Sequence, residues 1–141
     1  MNNTTENWKL FYETGAANSA ESTKDRKRYW WVSDHGRIKV TNNYNDKVKY
    51  PSLSLTGGHP ERRYLAISHN FGGKYVHKIV ANNFLPPCPV TEDKWCVDHI
   101  DNDRLNNHVS NLQWLTHGEN IKKSYKWRIR QEILKEMQDG Q

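Results

Sequence analysis

Short segments of alternating apolar and polar residues dominate the first half of the chain. Residues 29–33 and 37–41 are rich in aromatic and β-branched side chains, and the connection between them contains Gly36, which suits a tight hairpin turn. Residues 50–56 and 63–68 repeat the alternation on either side of a glycine-containing connection. Together these segments predict a small antiparallel sheet.

The first 28 residues follow a different pattern. Residues 8–12 form one short aromatic run, which predicts a strand, whereas residues 15–28 are small and charged, which is typical of a mobile surface loop. The basic cluster at residues 24–28 could contact phosphate, although a run of charges is more often a solvated loop.

Helical spacing appears first at residues 76–84, where apolar side chains recur every three or four positions. They predict a helix laid against the sheet, with His77 as a packing or capping residue rather than a ligand. Residues 86–89 contain three prolines, which cannot continue a helix. A stiff link is therefore expected between this helix and the rest of the chain.

The next segment predicts a strand, a loop, a second strand and a helix. Two short β-like runs, which contain Cys96 and Leu112, are joined by a polar loop. Thr116 and Glu119 then have the spacing of a capping box, so the helix is expected to begin at His117.

This helix is expected to run to about Gln138, with one apolar and one basic part. The apolar stripe is expected to pack on the N-terminal part of the chain, with a subunit interface as the alternative. It contains Ile129, Ile133, Leu134 and Met137. The first half could grip a phosphate backbone, or it could be a solvated face. Its basic residues are Lys122, Lys123, Lys126, Arg128 and Arg130.

Four polar residues stand where these elements meet: Asp98, His99, Asn111 and Asn120. Taken one at a time they have ordinary explanations, because Asp98 could form a turn, His99 could be structural and Asn120 could be solvated. Single motif matches of this kind often mislead. Their occurrence together, in register with the predicted elements, favours a functional site.

Composition narrows the class of partner and the compartment. The net charge of +5 and the pI near 9.2 favour a polyanionic partner, although they do not by themselves separate nucleic acid from an acidic membrane. The chain has no apolar run of transmembrane length, its start does not resemble a signal peptide, and its two cysteines are unpatterned. We therefore expect a soluble, intracellular, cytoplasmic protein that does not bind a membrane.

Five potential zinc ligands lie close together in the sequence: Cys88, Cys96, His99, His108 and His117. Structural zinc sites use cysteine pairs two to four residues apart, and the two cysteines here are more widely spaced. The spacing therefore argues against zinc.

Residues 95–125 resemble the HNH endonucleases of the phage and intron-encoded homing type, with their ββα-metal motif. The resemblance rests on Asp98-His99, on Asn111 before the second strand, and on Asn120 in the first turn of the helix. It implies an α+β fold, in which a small antiparallel sheet with a helix precedes a ββα-metal motif and a C-terminal helix. It also implies hydrolysis of phosphodiester bonds in double-stranded DNA, with one Mg²⁺ or Mn²⁺ ion per site.

The resemblance assigns roles to the four residues. His99 would be the general base, and Asn111 would accept a hydrogen bond from the other ring nitrogen and so orient the ring. Asp98 and Asn120 would bind the metal, and their oxygen donors suit a hard cation better than zinc.

The rest of the chain divides around this unit. Residues 29–90 resemble the β-rich N-terminal module that accompanies many HNH homing enzymes, residues 1–28 supply a strand and a loop, and residues 91–141 are the nuclease unit with its helix. Both resembling parts are expected to contact DNA. The candidate contacts are Arg37, Lys39, Arg104, Asn106, Asn107, Lys122 and Lys123.

Three functions stay open at the level of sequence. The favoured one is an HNH endonuclease that acts as a monomer and nicks one strand, because one chain carries one set of site residues. The alternatives are an HNH-like module that binds DNA without cutting it, and a protein that binds or cuts RNA.

Overall fold

The computed structural model describes residues 5–15, 26–68 and 75–140. These ranges contain seven strands and two α-helices, and every pair of strands is antiparallel. The elements are β1 (Trp8–Thr14), β2 (Arg28–Ser33), β3 (Ile38–Asn42), β4 (Leu53–Thr56), β5 (Tyr64–Ile67), α1 (Val76–Phe84), β6 (Trp95–His99), β7 (Leu112–Thr116) and α2 (His117–Asp139). The predicted α+β class is confirmed.

The strands form three separate sheets, of which the first has the order β1-β2-β3 and the others are the pairs β4-β5 and β6-β7. Both predicted hairpins are present, and Gly36 has a φ of +82° in the turn between β2 and β3. The predicted N-terminal strand is confirmed as β1. Arg28 belongs to β2 rather than to the predicted loop, and residues 16–25 of that loop lie outside the described residues.

The core lies between the first sheet, β5 and α1. Buried apolar side chains reach it from β2, β3, β5, α1 and β7: Trp30, Val32, Ile38, Ile67, Val76, Ile79, Val80 and Leu112. The helix predicted at residues 76–84 is confirmed as α1, and its apolar face packs into this core. Leu112 in this core pairs with His99 across β6 and β7. The core therefore fixes the position of the β6-β7 hairpin.

The capping box at the start of α2 is also confirmed. The Thr116 hydroxyl accepts a hydrogen bond from the Glu119 backbone N–H at 3.2 Å, and the Glu119 carboxylate accepts one from the Thr116 backbone N–H at 2.8 Å. Together they satisfy two backbone donors near the helix N-terminus and fix where α2 begins.

The second half of α2 differs from the prediction. No residue of α2 is buried, and Ile133 and Met137 in the apolar stripe are 51% and 64% exposed, so the expected packing on the N-terminal part was wrong. The reason is length, because a helix of 23 residues extends about 35 Å whereas the strands beside it have five residues each. Neither helix in the described ranges is long and apolar enough to span a lipid bilayer.

Candidate active site

The candidate site lies at the end of β6, where Asp98 and His99 follow each other. Asp98 pairs with Gln113 and His99 pairs with Leu112 in β7. Successive strand residues point to opposite faces, so Asp98 faces α2 while His99 faces α1 and β5. Both are buried, with 8% and 5% of their surfaces exposed.

Asp98 is held by two donors on the α2 side. Its Oδ2 accepts hydrogen bonds from Gln113 Nε2 at 2.8 Å and from Lys123 Nζ at 2.6 Å. Lys123 Nζ also donates to the His99 carbonyl oxygen at 2.7 Å. Lys123, expected to contact DNA, therefore instead pairs with the candidate metal ligand and with the backbone of the candidate base.

The donor set fits a hard divalent cation. Asp98 supplies a carboxylate, which in this structure accepts a hydrogen bond from the Lys123 ammonium group. Asn120, which is half-buried in the first turns of α2, supplies an amide oxygen. Within residues 5–15, 26–68 and 75–140, no group of three or more His, Cys, Asp or Glu side chains is arranged to hold a metal ion. Cys96 bonds to the Leu115 carbonyl oxygen through its thiol, and burial raises the pKa of that thiol.

The His99 ring has a different hydrogen-bond partner from the one expected. Its Nε2 lies 2.8 Å from Asn107 Oδ1. Asn111, predicted to orient the ring, instead donates from Nδ2 to Asp101 Oδ1 and to the Asn106 carbonyl oxygen, both at 2.9 Å. Asn111 thus fastens the loop between β6 and β7 to itself, and Asn107 orients the ring.

Two aromatic rings enclose the other sides of His99. The ring centroid of His77 lies 5.1 Å from that of His99, and the Tyr64 ring is stacked at 6.1 Å. Burial, with the proximity of His99 and Lys78, lowers the pKa of His77 from 6.5 to about 3. His77 is therefore an uncharged packing residue, as predicted, although its contact with His99 could not be predicted from its place in α1.

The loop between β6 and β7 rests on the turn between β2 and β3. The Val109 backbone N–H donates to the Asp34 carbonyl oxygen at 2.8 Å, and the His35 and His108 rings lie 4.7 Å apart. Asp34 is held in turn by Asn7, which donates from Nδ2 to its carboxylate at 2.8 Å. The N-terminal sheet thus supports the loop that carries Asn107.

Two of the predicted DNA contacts lie in the N-terminal part, where Arg37 is exposed and Lys39 is half-buried, and both already have partners. Arg37 forms a two-pronged ion pair with Glu6, and this hydrogen bonding lowers the pKa of Glu6 to about 2. Lys39 Nζ lies 4.1 Å from the ring centroid of Trp8. Both cations remain on the surface, and the charge of Arg37 is largely balanced by Glu6.

Of the remaining predicted contacts, Lys122 is exposed, Arg104 and Asn106 are half-buried, and Asn107 is buried. Arg104 lies over the Tyr64 ring, and Asn106 donates to Asp101. Asn107 is only 4% exposed, so it cannot contact DNA, and this prediction was wrong. It failed because a polar residue in a polar loop gives no signal that a distant turn covers it.

An open groove runs along β7 and α2 beside Asp98. Its lining residues are Gln113, Leu115, Glu119, Lys122, Lys123 and Lys126. Lys122 and Lys126 on α2 add positive charge to this groove, whereas the charge of Lys123 is paired with Asp98. A cationic wall of this kind suits a phosphate backbone.

Comparisons with known proteins agree with this geometry. Residues 74–122 match a family model described as HNH endonuclease. The chain is 33% identical over 92 residues to the uncharacterized HNH endonuclease L247 of Acanthamoeba polyphaga mimivirus, and 32% identical over 94 residues to a protein of Bacillus subtilis strain 168 named as an HNH homing endonuclease derived from prophage SPbeta. These alignments cover 65% and 64% of this chain but 22% and 49% of the two relatives.

One solved structure also matches. It describes DNA binding and cleavage by the HNH homing endonuclease I-HmuI, with 25% sequence identity, 89% of this chain and 67% of that chain covered, and a TM-score of 0.46.

Proposed function

We propose that the protein is a DNA endonuclease that hydrolyses phosphodiester bonds with one Mg²⁺ or Mn²⁺ ion per site, and the match of residues 74–122 to a family model described as HNH endonuclease supports this. The observation that carries the proposal is the buried His99 at the end of β6, with its ring fixed by Asn107 and Asp98 beside it. A general base needs a ring held in one orientation, and this arrangement supplies it.

His99 takes the proton of the attacking water in this proposal. An amide oxygen accepts hydrogen bonds, so the contact with Asn107 Oδ1 requires the ring proton on Nε2. The lone pair is then on Nδ1, which is the atom left to receive the proton. After the transfer, the same Asn107 oxygen stabilises the charged ring.

Asp98 and Asn120 are the residues that would hold the ion. The chemistry that the ion supplies when bound is neutralisation of charge on the scissile phosphate and on the leaving oxygen. Lys123 holds the Asp98 carboxylate and the His99 carbonyl oxygen in place through its ammonium group, and its charge is largely balanced by Asp98.

Double-stranded DNA is the proposed substrate, and the groove along β7 and α2 is the proposed place for its backbone. Residues 29–90 form the proposed second contact, through Arg37 and Lys39, with Arg104 and Asn106 near the site. We propose that the protein acts as a monomer and nicks one strand, since one chain carries one set of site residues. The proposed compartment is the cytoplasm.

The test is cleavage of supercoiled plasmid with Mg²⁺, with Mn²⁺ and with EDTA. Wild-type protein is expected to produce open circles first, and His99→Ala to lose about 10²-fold or more in rate, the scale of general-base catalysis, while duplex binding is retained. His117→Ala, which removes an exposed histidine at the start of α2, is the matched control.

Three outcomes would contradict the proposal. DNA binding without cleavage under any metal condition would favour a binding module. Faster cleavage of RNA than of duplex DNA would change the substrate class. Linear plasmid from the earliest times, with a dimeric mass in solution, would refute the monomeric nicking enzyme.

A further inference from the structure

We infer that Asn107 is the positioning residue that sets the tautomer of His99, and that the β2–β3 turn at Gly36 holds Asn107 in place. The inference rests on the proposed function, because it describes how the proposed base is prepared. It extends the site from the β6-β7 hairpin into the N-terminal sheet.

The first support is the hydrogen bond itself. Asn107 Oδ1 lies 2.8 Å from His99 Nε2, and both side chains are about nineteen-twentieths buried, with 4% and 5% exposed. Asn107 Nδ2 is buried and has no hydrogen-bond partner among the described residues. The amide oxygen of Asn107 is therefore bonded to the ring, while its nitrogen stays without a partner in the described part of the chain. The unsatisfied nitrogen destabilises the fold, and the hydrogen bond to His99 must offset this loss.

The orientation of this amide decides the chemistry. If the amide were turned over, Nδ2 would donate to Nε2, and the ring proton would move to Nδ1. Nδ1 could then no longer accept a proton from water. The observed orientation keeps Nε2 protonated and Nδ1 free, and it is also the one that stabilises the ring after it gains a proton.

The second support is the close approach of Gly36 to Asn107. A Cβ atom built at Gly36 would lie 2.7 Å from Asn107 Cβ and 2.9 Å from the Asn107 carbonyl oxygen. These distances are too short for any side chain, so the turn backbone packs directly on the residue that holds the ring. The hydrogen bond from Val109 N–H to the Asp34 carbonyl oxygen fastens the same loop to the same turn.

The other neighbours of His99 cannot replace this contact. His77 and Tyr64 lie against the ring through their faces, with Arg104 over Tyr64, and Lys123 bonds to the His99 backbone rather than to its ring. In the part of the chain that the structure describes, Asn107 supplies the hydrogen bond to the imidazole.

The first experiment reads the tautomer without activity. Nitrogen-15 NMR of the neutral histidine rings in the metal-free protein is expected to show His99 protonated on Nε2 in wild type. Asn107→Ala is expected to give a mixture of tautomers, while Asn45→Ala, at an exposed position between β3 and β4, keeps the wild-type pattern. A wild-type His99 protonated on Nδ1 would overturn the inference, even if every variant failed to fold.

The second experiment separates catalysis from binding. Asn107→Ala is expected to lower single-turnover cleavage by about 10- to 100-fold, the scale of a misplaced catalytic group, with the Kd for duplex DNA unchanged. Asn107→Asp keeps an acceptor oxygen and is expected to recover a large part of that loss. Wild-type rates in Asn107→Ala, or equal losses in the alanine and aspartate variants with wild-type folding, would overturn the inference.

The role of Gly36 is tested with two variants. Gly36→Ala and Gly36→Asn both add a Cβ, but asparagine tolerates a positive φ much better than alanine. Loss of cleavage and altered His99 resonances in both variants are expected if contact with Asn107 matters. A Gly36→Asn variant that behaves as wild type would show that φ alone explains the glycine. If wild type cleaves no DNA, the proposed function fails, and the NMR experiment still tests Asn107.

Discussion

Mild acid is expected to destabilise the protein through His77. Burial, with His99 and Lys78 nearby, lowers the pKa of this ring from 6.5 to about 3. Between these values the unfolded chain binds a proton that the folded chain does not, so the free energy of unfolding decreases as pH falls. The contribution of His77 is fully present above pH 6.5. Each pH unit removes about 1.4 kcal/mol, so lowering the pH from 6.5 to 5 removes about 2 kcal/mol.

Between pH 5 and pH 6.5 the change in the free energy of unfolding comes from histidines and not from carboxylates. The pKa of Glu6 is lowered from 4.5 to about 2, so its contribution is lost only as pH falls below 4.5. Urea denaturation at half-unit steps from pH 5 to pH 7 gives the slope directly. His77→Leu replaces the ring by an apolar side chain of similar volume and is expected to flatten the slope, and His59→Gln, at an exposed position, is the control.

Two results would refute this reasoning. The first is a wild-type free energy of unfolding that changes by less than about 0.5 kcal/mol across the window, because one excluded proton requires more. The second is a His77→Leu variant with the wild-type slope, which would assign the acid sensitivity to another group.

Two further predictions concern the metal and the groove. Asp98→Ala is expected to abolish plasmid cleavage, and Asn120→Ala is expected to regain part of its cleavage rate as the Mg²⁺ concentration is raised. Both variants are expected to keep the wild-type circular dichroism spectrum. An Asn120→Ala cleavage rate that is equal at all metal concentrations would exclude Asn120 as a ligand. Paired Lys122→Ala and Lys126→Ala substitutions are expected to weaken binding to every duplex and to reduce its salt dependence by up to about two counterions. An unchanged salt slope in fluorescence anisotropy would place the backbone elsewhere.

Local patterns made much of the fold predictable. The turn at Gly36, the helix α1 and the capping box at Thr116 each depend on residues within a few positions of one another, and all three were confirmed. The adjacency of Asp98 and His99 is likewise local, because it follows from their places in one strand.

Contacts between distant segments decided the rest. Asn107 was expected to face DNA, and only the approach of a turn some seventy residues earlier encloses it. Lys123 was expected to contact DNA, but the orientation of α2 against β6 brings its ammonium group to Asp98. The apolar residues of α2 recur at helical spacing, which predicts a helix with one apolar face. The spacing does not tell whether another part of the chain packs on that face.

The contact between the β2–β3 turn and the β6-β7 loop bears on whether residues 91–141 can be separated from the rest of the protein. The prolines at residues 86–89 make a convenient boundary in the sequence. Across that boundary, however, Val109 depends on Asp34 for a backbone hydrogen bond, and Leu112 completes a core built mainly by the preceding half. A fragment cut at the prolines would keep its site residues and lose the scaffold that aligns them. The two halves are therefore one unit for purposes of transplantation or shuffling.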